Sequence, residues 1–207
     1  TKYSHLGVEL WKSDNLVSSS TTPVFKAIRL AQDGSVYLAY DKMDFPYATR
    51  IVKYSSAGSE LWVKEFVQEN FMHMDLNHNG NMYVMLSDED EHDNVTKTLR
   101  STLKKYNSNG VKQWESDGIE KNIYKINLSH RHQHSYSRVD ANGNVFAKSS
   151  IYASYTSVGK VPIEANHFAK YNSDGVKLWE ERPDYMFGGL SHSEKGEIHL
   201  FDAQYSN

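Results

Sequence analysis

Cysteine is absent from the 207-residue chain, and proline is scarce, with four residues. The absence of cysteine excludes a disulfide framework, so packing must stabilise the fold, and it leaves the redox compartment open. Charge of one sign is also missing, because 23 Lys and Arg stand against 26 Asp and Glu. We therefore expect no nucleic-acid partner, since a general nucleic-acid binder needs a basic surface. No apolar run approaches the ~18 residues of a membrane helix, and we expect no membrane insertion.

A ten-residue motif occurs four times along the chain, at residues 2–11, 53–62, 105–114 and 170–179. Each copy begins with Lys-Tyr, has Gly four residues after the Tyr, and ends with Trp four residues after the Gly. The tryptophans of the chain all lie at this last position. Three copies carry Ala-Gly, Asn-Gly or Asp-Gly in the middle, which favours a tight turn. The motif is therefore predicted to be a β-hairpin.

A second repeated unit alternates with the first. It consists of an alternating run, a turn that contains Gly, and another alternating run, at residues 25–38, 71–84, 134–147 and 187–200. Asp-Gly and Asn-Gly turns between alternating runs are typical of hairpins, because the turn needs positive φ. Two hairpins per repeat, with a period of roughly 50 residues, is the pattern of β-propeller blades with four antiparallel strands.

The fold prediction is an all-β propeller of four blades, built as a single domain over residues 1–207. The chain begins with a Trp-bearing hairpin and ends with a hairpin of the second kind, so the two together make one blade. We therefore expect the ring to close by pairing of the N- and C-terminal hairpins. The alternative is that the repeats are blades of a longer ring. The predicted blades span residues 24–66, 70–116, 134–181, and 185–207 together with 1–12.

The hairpin pattern Asp/Asn-x-Asn-Gly-Asn-Val-Tyr, followed by Lys-Tyr-x-x-x-Gly-x-x-Leu-Trp, resembles the bacterial β-propeller repeats termed SBBP. The Gly-x-x-x-Trp part is also similar to blades of quinoprotein-type propellers. The resemblance covers nearly the whole chain and implies a secreted or cell-surface protein that binds, adheres or scaffolds. Four blades depart from the seven or eight that are usual in these propellers, so the resemblance does not extend to a central cofactor pocket.

Some repeated columns are interpreted as packing positions. A large aromatic residue at one place in each blade packs blade against blade, which explains the Trp and Tyr columns. Alternation along the first strand of each blade predicts two further core columns. They are Ile28, Met74, Ser137 and Leu190, and Leu30, Leu76, Val139 and His192.

The connections between hairpins predict which face of the propeller carries function. The turns inside the hairpins are short and alike, whereas the connections at the other ends of the strands are long and unlike each other. Long variable loops on a rigid scaffold usually carry function, so we expect the functional face to be the one with these loops. They are residues 41–50, 87–99 and 151–165, and residues 12–23, 63–70 and 115–133.

Two stretches are candidate metal sites. In an extended strand, His130, His132 and His134 point the same way, and two such imidazoles can share zinc or copper with a carboxylate or water. The alternative is a solvated polar loop. The stretch Asp75-Leu-Asn-His-Asn-Gly80 places oxygens at alternate positions, as at the start of a calcium loop. It lacks a later acidic ligand, and an ordinary Asn-Gly turn is favoured.

One pair of columns breaks the repeat although the residues around it keep it. It contains Arg29, Asp75, Arg138 and Ser191, with Ala27, His73, Tyr136 and Gly189 two positions earlier. These residues lie on the first strand of the second repeated unit, which we call the inner hairpin because its strands are expected to line the central channel of the propeller. They form either a structural ion network or a site for an acidic ligand, such as a sialic or uronic acid held by bidentate contacts. The candidate ligand-binding residues are Arg29, His73, Asp75, Tyr136 and Arg138.

The predicted function is an extracellular binding module that recognises carbohydrate or another polar surface ligand through the long-loop face. No phosphate loop, Gly-x-Ser-x-Gly elbow or cysteine nucleophile supports catalysis. The first alternative is a metal-dependent enzyme or metalloprotein with a His-rich site at the channel mouth. The second is a scaffold or adhesion segment of a larger surface protein. The sequence leaves an oligomer possible.

Overall fold

The computed structural model describes residues 1–3, 6–12, 23–42, 46–91, 96–116, 119–124, 128–155, 163–182, 187–192 and 198–202. Regular structure in these ranges is β-strand throughout, so the predicted all-β class is confirmed. The described residues contain no helix that is long and apolar enough to cross a membrane.

Two short terminal hairpins flank three larger antiparallel sheets. The N-terminal hairpin comprises β1 (Lys2–Tyr3) and β2 (Glu9–Trp11). Sheet 1 comprises β3 (Val24–Leu30), β4 (Val36–Lys42), β5 (Ala48–Tyr54) and β6 (Glu60–Val67). Sheet 2 comprises β7 (Asn70–Leu76), β8 (Met82–Glu91), β9 (Thr96–Tyr106), β10 (Lys112–Glu115) and β11 (Ile119–Tyr124). Sheet 3 comprises β12 (Leu128–Val139), β13 (Val145–Tyr155), β14 (Ile163–Tyr171) and β15 (Lys177–Glu181), and the C-terminal hairpin comprises β16 (Phe187–His192) and β17 (Ile198–Asp202).

Each large sheet is a meander of four strand positions, as the two alternating hairpins predict. In sheet 2 two strands occupy the fourth position along the same edge of β9. The strand β10 pairs with the end of β9, and β11 pairs with its beginning. The break between them is bridged by Ser116, whose backbone N–H donates to Leu103 O at 2.9 Å and whose hydroxyl accepts from Leu103 N. The backbone groups at the break therefore stay paired, as burial requires.

The prediction of long loops at one end of the sheets is partly wrong, because the strands extend into the residues that were expected to form loops. The predicted loop 63–70 is mostly strand: β6 runs to Val67 and β7 starts at Asn70. In the predicted loop 87–99, residues 87–91 belong to β8 and residues 96–99 belong to β9, since the two strands pair from Met82–Tyr106 to Glu91–Lys97. Backbone pairing needs no apolar side chain, so the ladder extends through polar residues that alternation does not mark.

The core consists of layers between neighbouring sheets. One buried cluster joins sheets 1 and 2 through residues such as Tyr37, Ile51 and Met74, and a second joins sheets 2 and 3 through Tyr83 and Val145. The first strands of successive units lie next to each other, in the order β3, β7, β12 and β16. The sheets therefore stack face to face, with their first strands at one side of the array.

The hairpins that carry the Lys-Tyr-Gly-Trp motif, here called the outer hairpins, contact each other between neighbouring units through a tryptophan, and this joint occurs three times among the described residues. At each joint the indole lies against the turn glycine of the next hairpin, and the indole N–H donates to the carbonyl two residues before that glycine. The three bonds are Trp11 to Ser56 O (3.1 Å), Trp62 to Ser108 O (3.1 Å) and Trp114 to Ser173 O (2.9 Å). The predicted packing role of the Trp column is confirmed at these joints.

Lysine and tyrosine complete the joint. The ammonium of the motif lysine donates to the same carbonyl as the indole, at 3.2, 3.0 and 2.8 Å for Lys2, Lys53 and Lys105. The motif tyrosine of the next hairpin packs on the indole: the Trp11 and Tyr54 ring centroids are 5.9 Å apart. The whole Lys-Tyr-Gly-Trp motif is therefore a docking device between sheets.

The two ends of the array differ from its middle. The core prediction is wrong for Ile28 and Leu30, whose side chains are 54% and 68% exposed, whereas Met74 and Val139 in the same columns are buried. No sheet covers this face of β3 in the described structure. The terminal hairpins are separate two-stranded sheets, and the pairing predicted between them is not formed among the described residues. The side chains of Leu190 and His192 lie outside the described ones.

Candidate functional site

The five predicted ligand-binding residues come together on three neighbouring strands. Arg29, Asp75 and Arg138 are each the next-to-last residue of β3, β7 and β12, and each pairs with the second residue of the following strand. The repeat thus places two arginines and one aspartate at one equivalent position on three neighbouring strands. His73 and Tyr136 lie two residues earlier, on the same strands as Asp75 and Arg138.

Asp75 lies between the two arginines. Its carboxylate oxygens are 4.0 Å from Arg29 Nε and 3.9 Å from Arg138 Nη1, and the backbone N–H of Val139 donates to Oδ2 at 3.2 Å. Burial raises the pKa of Asp75 above its ordinary value, against the opposing effects of the Val139 N–H and the two guanidinium groups. Distances near 4 Å are charge contacts and not short hydrogen bonds, so they leave donor capacity on both arginines.

His73 is buried and joins the arginine side of the cluster to sheet 3. Its Nε2 lies 3.2 Å from Arg29 Nη2, and its Nδ1 lies 3.3 Å from the hydroxyl oxygen of Ser137. Because a guanidinium only donates, Nε2 accepts that bond, so the neutral ring carries its proton on Nδ1, which donates to the Ser137 hydroxyl. Burial first, and then the charges of Arg29 and Arg138, lower the pKa of His73 to about 3.

Tyr136 supplies an aromatic ring at the edge of the cluster. Its centroid is 5.5 Å from that of His73, and 38% of the side chain is exposed. The Arg138 and Arg29 side chains are 40% and 31% exposed, whereas Asp75 is 16% exposed. The site therefore has a base formed by the buried His73 and the largely buried Asp75, with two arginines and a tyrosine partly open to solvent.

The charge of the cluster favours an anion. Two guanidinium groups surround one carboxylate, and the neutral histidine adds no charge, so one positive charge is left uncompensated within the cluster. A guanidinium binds a carboxylate through two parallel N–H bonds, and it is weakly hydrated, which suits a partly buried site. The arrangement can hold a ligand carboxylate beside an aromatic ring.

The cluster lies at the opposite end of the sheets from the predicted functional face. Arg29, Asp75 and Arg138 directly precede the short turns that follow β3, β7 and β12, whereas the long connections leave from the other ends of these strands. Many residues of those connections, including 13–22, 92–95 and 156–162, lie outside the described residues. The predictions of site and face thus point to different ends of the molecule.

A groove that the sequence did not reveal lies on the long-loop side between sheets 1 and 2. It has two parts, of about 410 and 330 Å³, which share Gln68 and Glu69. The first part is lined by the exposed ring of Tyr47 and by Thr49, and the second by Lys104, which binds Glu69 at 2.6 Å. Gln68 has a positive φ of 61°, which is uncommon outside glycine. Gln68 and Glu69 are the whole link between β6 and β7, and a link this short explains the unusual backbone conformation of Gln68. The periodicity of the sequence does not predict it.

The described structure gives no support to the calcium candidate. Asn77 Oδ1 accepts from the backbone N–H groups of Asn79 and Asn81, so it closes its own turn. Asp75 is occupied with sheet 3. The side chains of His130, His132 and His134 lie outside the described ones, although their backbone is part of β12. Among the described residues, no three His, Asp or Glu side chains form a group that could hold a metal ion.

Comparisons with known proteins leave the family open. No protein-family model matches the chain, and no curated protein matches it. A solved structure described as "Crystal structure of the eukaryotic initiation factor" is similar over 77% of this chain, at 9% identity and a TM-score of 0.28. The similarity spans 55% of that chain. A likeness this weak carries no argument about fold or function.

Proposed function

We propose that the protein is a secreted or cell-surface binding module that holds an acidic sugar, such as a uronic or sialic acid. Its carboxylate would bind the guanidinium groups of Arg29 and Arg138, and its ring would lie against Tyr136. The scaffold would be a β-propeller whose blades are sheets 1 to 3, with a fourth blade built from β16–β17 and a β1–β2 hairpin. The observation that carries the proposal is the pair of partly exposed arginines on either side of one largely buried carboxylate.

The buried residues support this role by fixing the arginines in place. The neutral imidazole of His73 accepts from Arg29, and Asp75 attracts both guanidinium groups without a short bond to either. A preorganised donor loses less conformational entropy on binding than a mobile one. The ion network that the sequence offered as an alternative is therefore compatible with ligand binding, because the same contacts orient the donors.

A glycan array, with and without EDTA, tests the proposal, followed by calorimetric titration of the strongest acidic hit. Arg138→Gln should weaken the affinity by about 10- to 100-fold, because it removes a bidentate charged contact worth roughly 1.5–3 kcal/mol. Arg182→Gln is the matched control: this arginine is 72% exposed and binds Glu180, away from the cluster. Its affinity should equal that of the native chain.

Other outcomes of the array separate the alternatives. Binding of acidic sugars that survives Arg138→Gln unchanged contradicts the proposal. A neutral-sugar hit that is insensitive to Arg138→Gln favours the second candidate, which is a sugar in the groove beside Tyr47, where an exposed ring adjoins polar side chains. A hit that EDTA abolishes favours the metal-dependent alternative at His130, His132 and His134, and metal analysis of the dialysed protein then decides it.

A further inference from the structure

One face of sheet 3 holds a lysine, a serine and an asparagine side by side. Ser150 on β13 pairs directly with Asn166 on β14, and Lys148 lies two residues before Ser150 on the same strand. Side chains two residues apart on a strand point to the same face, and so do those of directly paired residues. Lys148, Ser150 and Asn166 are 2%, 4% and 6% exposed, so three polar side chains are buried together.

Two of these side chains have a polar atom without a partner. In the described structure, the hydroxyl oxygen of Ser150 and the side-chain carbonyl oxygen of Asn166 are buried and make no hydrogen bond. A buried polar atom without a partner costs free energy, so each one in a folded protein needs an explanation. Two such atoms in one cross-strand pair indicate a site, because packing alone would favour apolar residues at both positions.

Lys148 supplies an amine whose charged form is disfavoured. Its neighbours on the same face include the buried rings of Phe146, two residues earlier, and Phe168, its direct partner on β14. Burial lowers the pKa of Lys148 from the ordinary 10.5 to about 8. At pH 8 about half of the Lys148 side chains are therefore neutral. A neutral lysine amine in apolar surroundings is a nucleophile.

Asn166 lies within reach of that amine. Lys148 pairs with Phe168, so Asn166 is its diagonal neighbour on β14, and no bulge interrupts the ladder between the two strands. Diagonal neighbours on one face of a sheet are about 7–8 Å apart, a separation that long side chains span. The lysine stem has four carbons and is flexible, so its amine can reach the carboxamide carbon of Asn166.

We propose that Lys148 and Asn166 join in an isopeptide bond that links β13 to β14. The neutral amine attacks the carboxamide of Asn166. A bond forms between Lys148 Nζ and Asn166 Cγ, and the bond between Cγ and Nδ2 breaks. The proton that the amine loses goes to Nδ2, which leaves as ammonia. The reaction consumes no oxidant and no other reactant.

The hydroxyl of Ser150 assists this reaction. Ser150 is directly opposite Asn166, and the Cβ atoms of such a pair are about 4.5–5.5 Å apart. A change of side-chain rotamer lets the hydroxyl donate to Oδ1 of Asn166, where negative charge develops as the amine attacks. The same hydroxyl passes the proton from Nζ to Nδ2. This role explains why a hydroxyl without a partner is buried beside a carbonyl without a partner.

The bond supplies a covalent link to a chain that has no cysteine. It closes a loop over residues 148–166, which contains the connection between β13 and β14. Closing a loop removes conformations from the unfolded chain, as a disulfide does, and so favours the folded state.

The test is the mass of the intact chain by mass spectrometry, after folding and incubation at pH 8. The native chain should be lighter than its sequence by the mass of one ammonia, and a branched peptide should join the segments around Lys148 and Asn166. Lys148→Met and Asn166→Ala should each keep the full mass. Lys170→Met is the matched control: this lysine lies on the same face, with its ammonium 4.8 Å from the Phe146 ring centroid, and its loss should leave the reaction intact.

The remaining outcomes contradict the proposal or one of its parts. A native chain that keeps its full mass after prolonged incubation overturns it. Loss of ammonia that persists in Lys148→Met also overturns it, because an asparagine can lose ammonia to its own backbone as a succinimide. Ser150→Ala should slow the reaction by about 100-fold, and an unchanged rate would remove Ser150 from it.

Two measurements keep the test independent of folding defects and of the sugar. Circular dichroism verifies that each variant is folded. The branched peptide is sought in the native chain, so its presence or absence decides the proposal even where a variant does not fold. Sugar binding is measured separately, because the cross-link neither requires nor excludes it.

Discussion

The outer hairpins have the same residues at equivalent positions of the repeat, whereas the inner strands have different residues at theirs. In the outer hairpins, Lys, Tyr, Gly and Trp return in every copy and make the same bonds at each complete joint. In the inner strands, the position of Arg29 is occupied by Asp75 and then by Arg138, although the backbone geometry is the same. A joint requires identical groups at each interface, whereas a binding site requires different groups around one point. A broken column in an otherwise regular repeat is therefore the place to expect a site.

The largest expected effect is the difference in stability lost when a tryptophan is removed from a complete joint and when one is removed outside such a joint. Trp114→Ala should lower the free energy of unfolding by about 2–4 kcal/mol, because a partly buried indole and its bond to Ser173 are lost. Trp179→Ala should cost only about 1 kcal/mol, since 36% of this residue is exposed. Both substitutions are measured by denaturant unfolding. Equal losses would show that the fourth tryptophan already has a complete joint within a single chain.

The next effect concerns His73 and is an acid-dependent loss of stability. Its pKa is about 3 in the folded protein and 6.5 as the ordinary value. The unfolded chain therefore takes up a proton below pH 6.5 while the folded chain does not, so the stabilisation is complete above 6.5 and falls as the pH falls toward 3. Between pH 6.5 and about pH 5 the free energy of unfolding should drop by about 2 kcal/mol.

The control for this pH dependence is His73→Gln, which has no titrating ring but keeps an acceptor for Arg29. The difference in unfolding free energy between the two proteins should change by the same amount over that range. Asp75 acts in the opposite direction, because its raised pKa favours the folded state once the pH is low enough to protonate it. Since Asp75 is present in both proteins, its contribution largely cancels in the comparison. A pH-independent difference would mean that His73 is accessible to protons in the folded state.

The strands and turns could be predicted from the sequence because the residue preferences of a β-hairpin depend on neighbouring residues in the chain. The turn glycines need positive φ, and an alternating run on each side sets the strands. The sequence also indicated the cluster of Arg29, Asp75 and Arg138, since a fixed repeat register places equivalent positions side by side. It missed the groove at Gln68 and the exposure of Ile28. The groove depends on how far the polar ends of β6 and β7 continue as strand, and the exposure of Ile28 depends on whether another sheet packs on β3. Both are properties of the tertiary structure that the repeat pattern does not predict.

The smallest expected effect tests whether the broken column serves binding and not folding. Arg138→Lys keeps the positive charge but loses the planar fork, and the ion pair to Asp75 spans 3.9 Å with the arginine side chain 40% exposed. Stability should therefore change by less than about 0.5 kcal/mol, as for most exposed ion pairs. Affinity for the acidic sugar should nevertheless fall several-fold, because an ammonium cannot reproduce the two parallel bonds. Paired unfolding and calorimetric titration measure both quantities, and a large loss of stability with unchanged affinity would assign Arg138 to the scaffold.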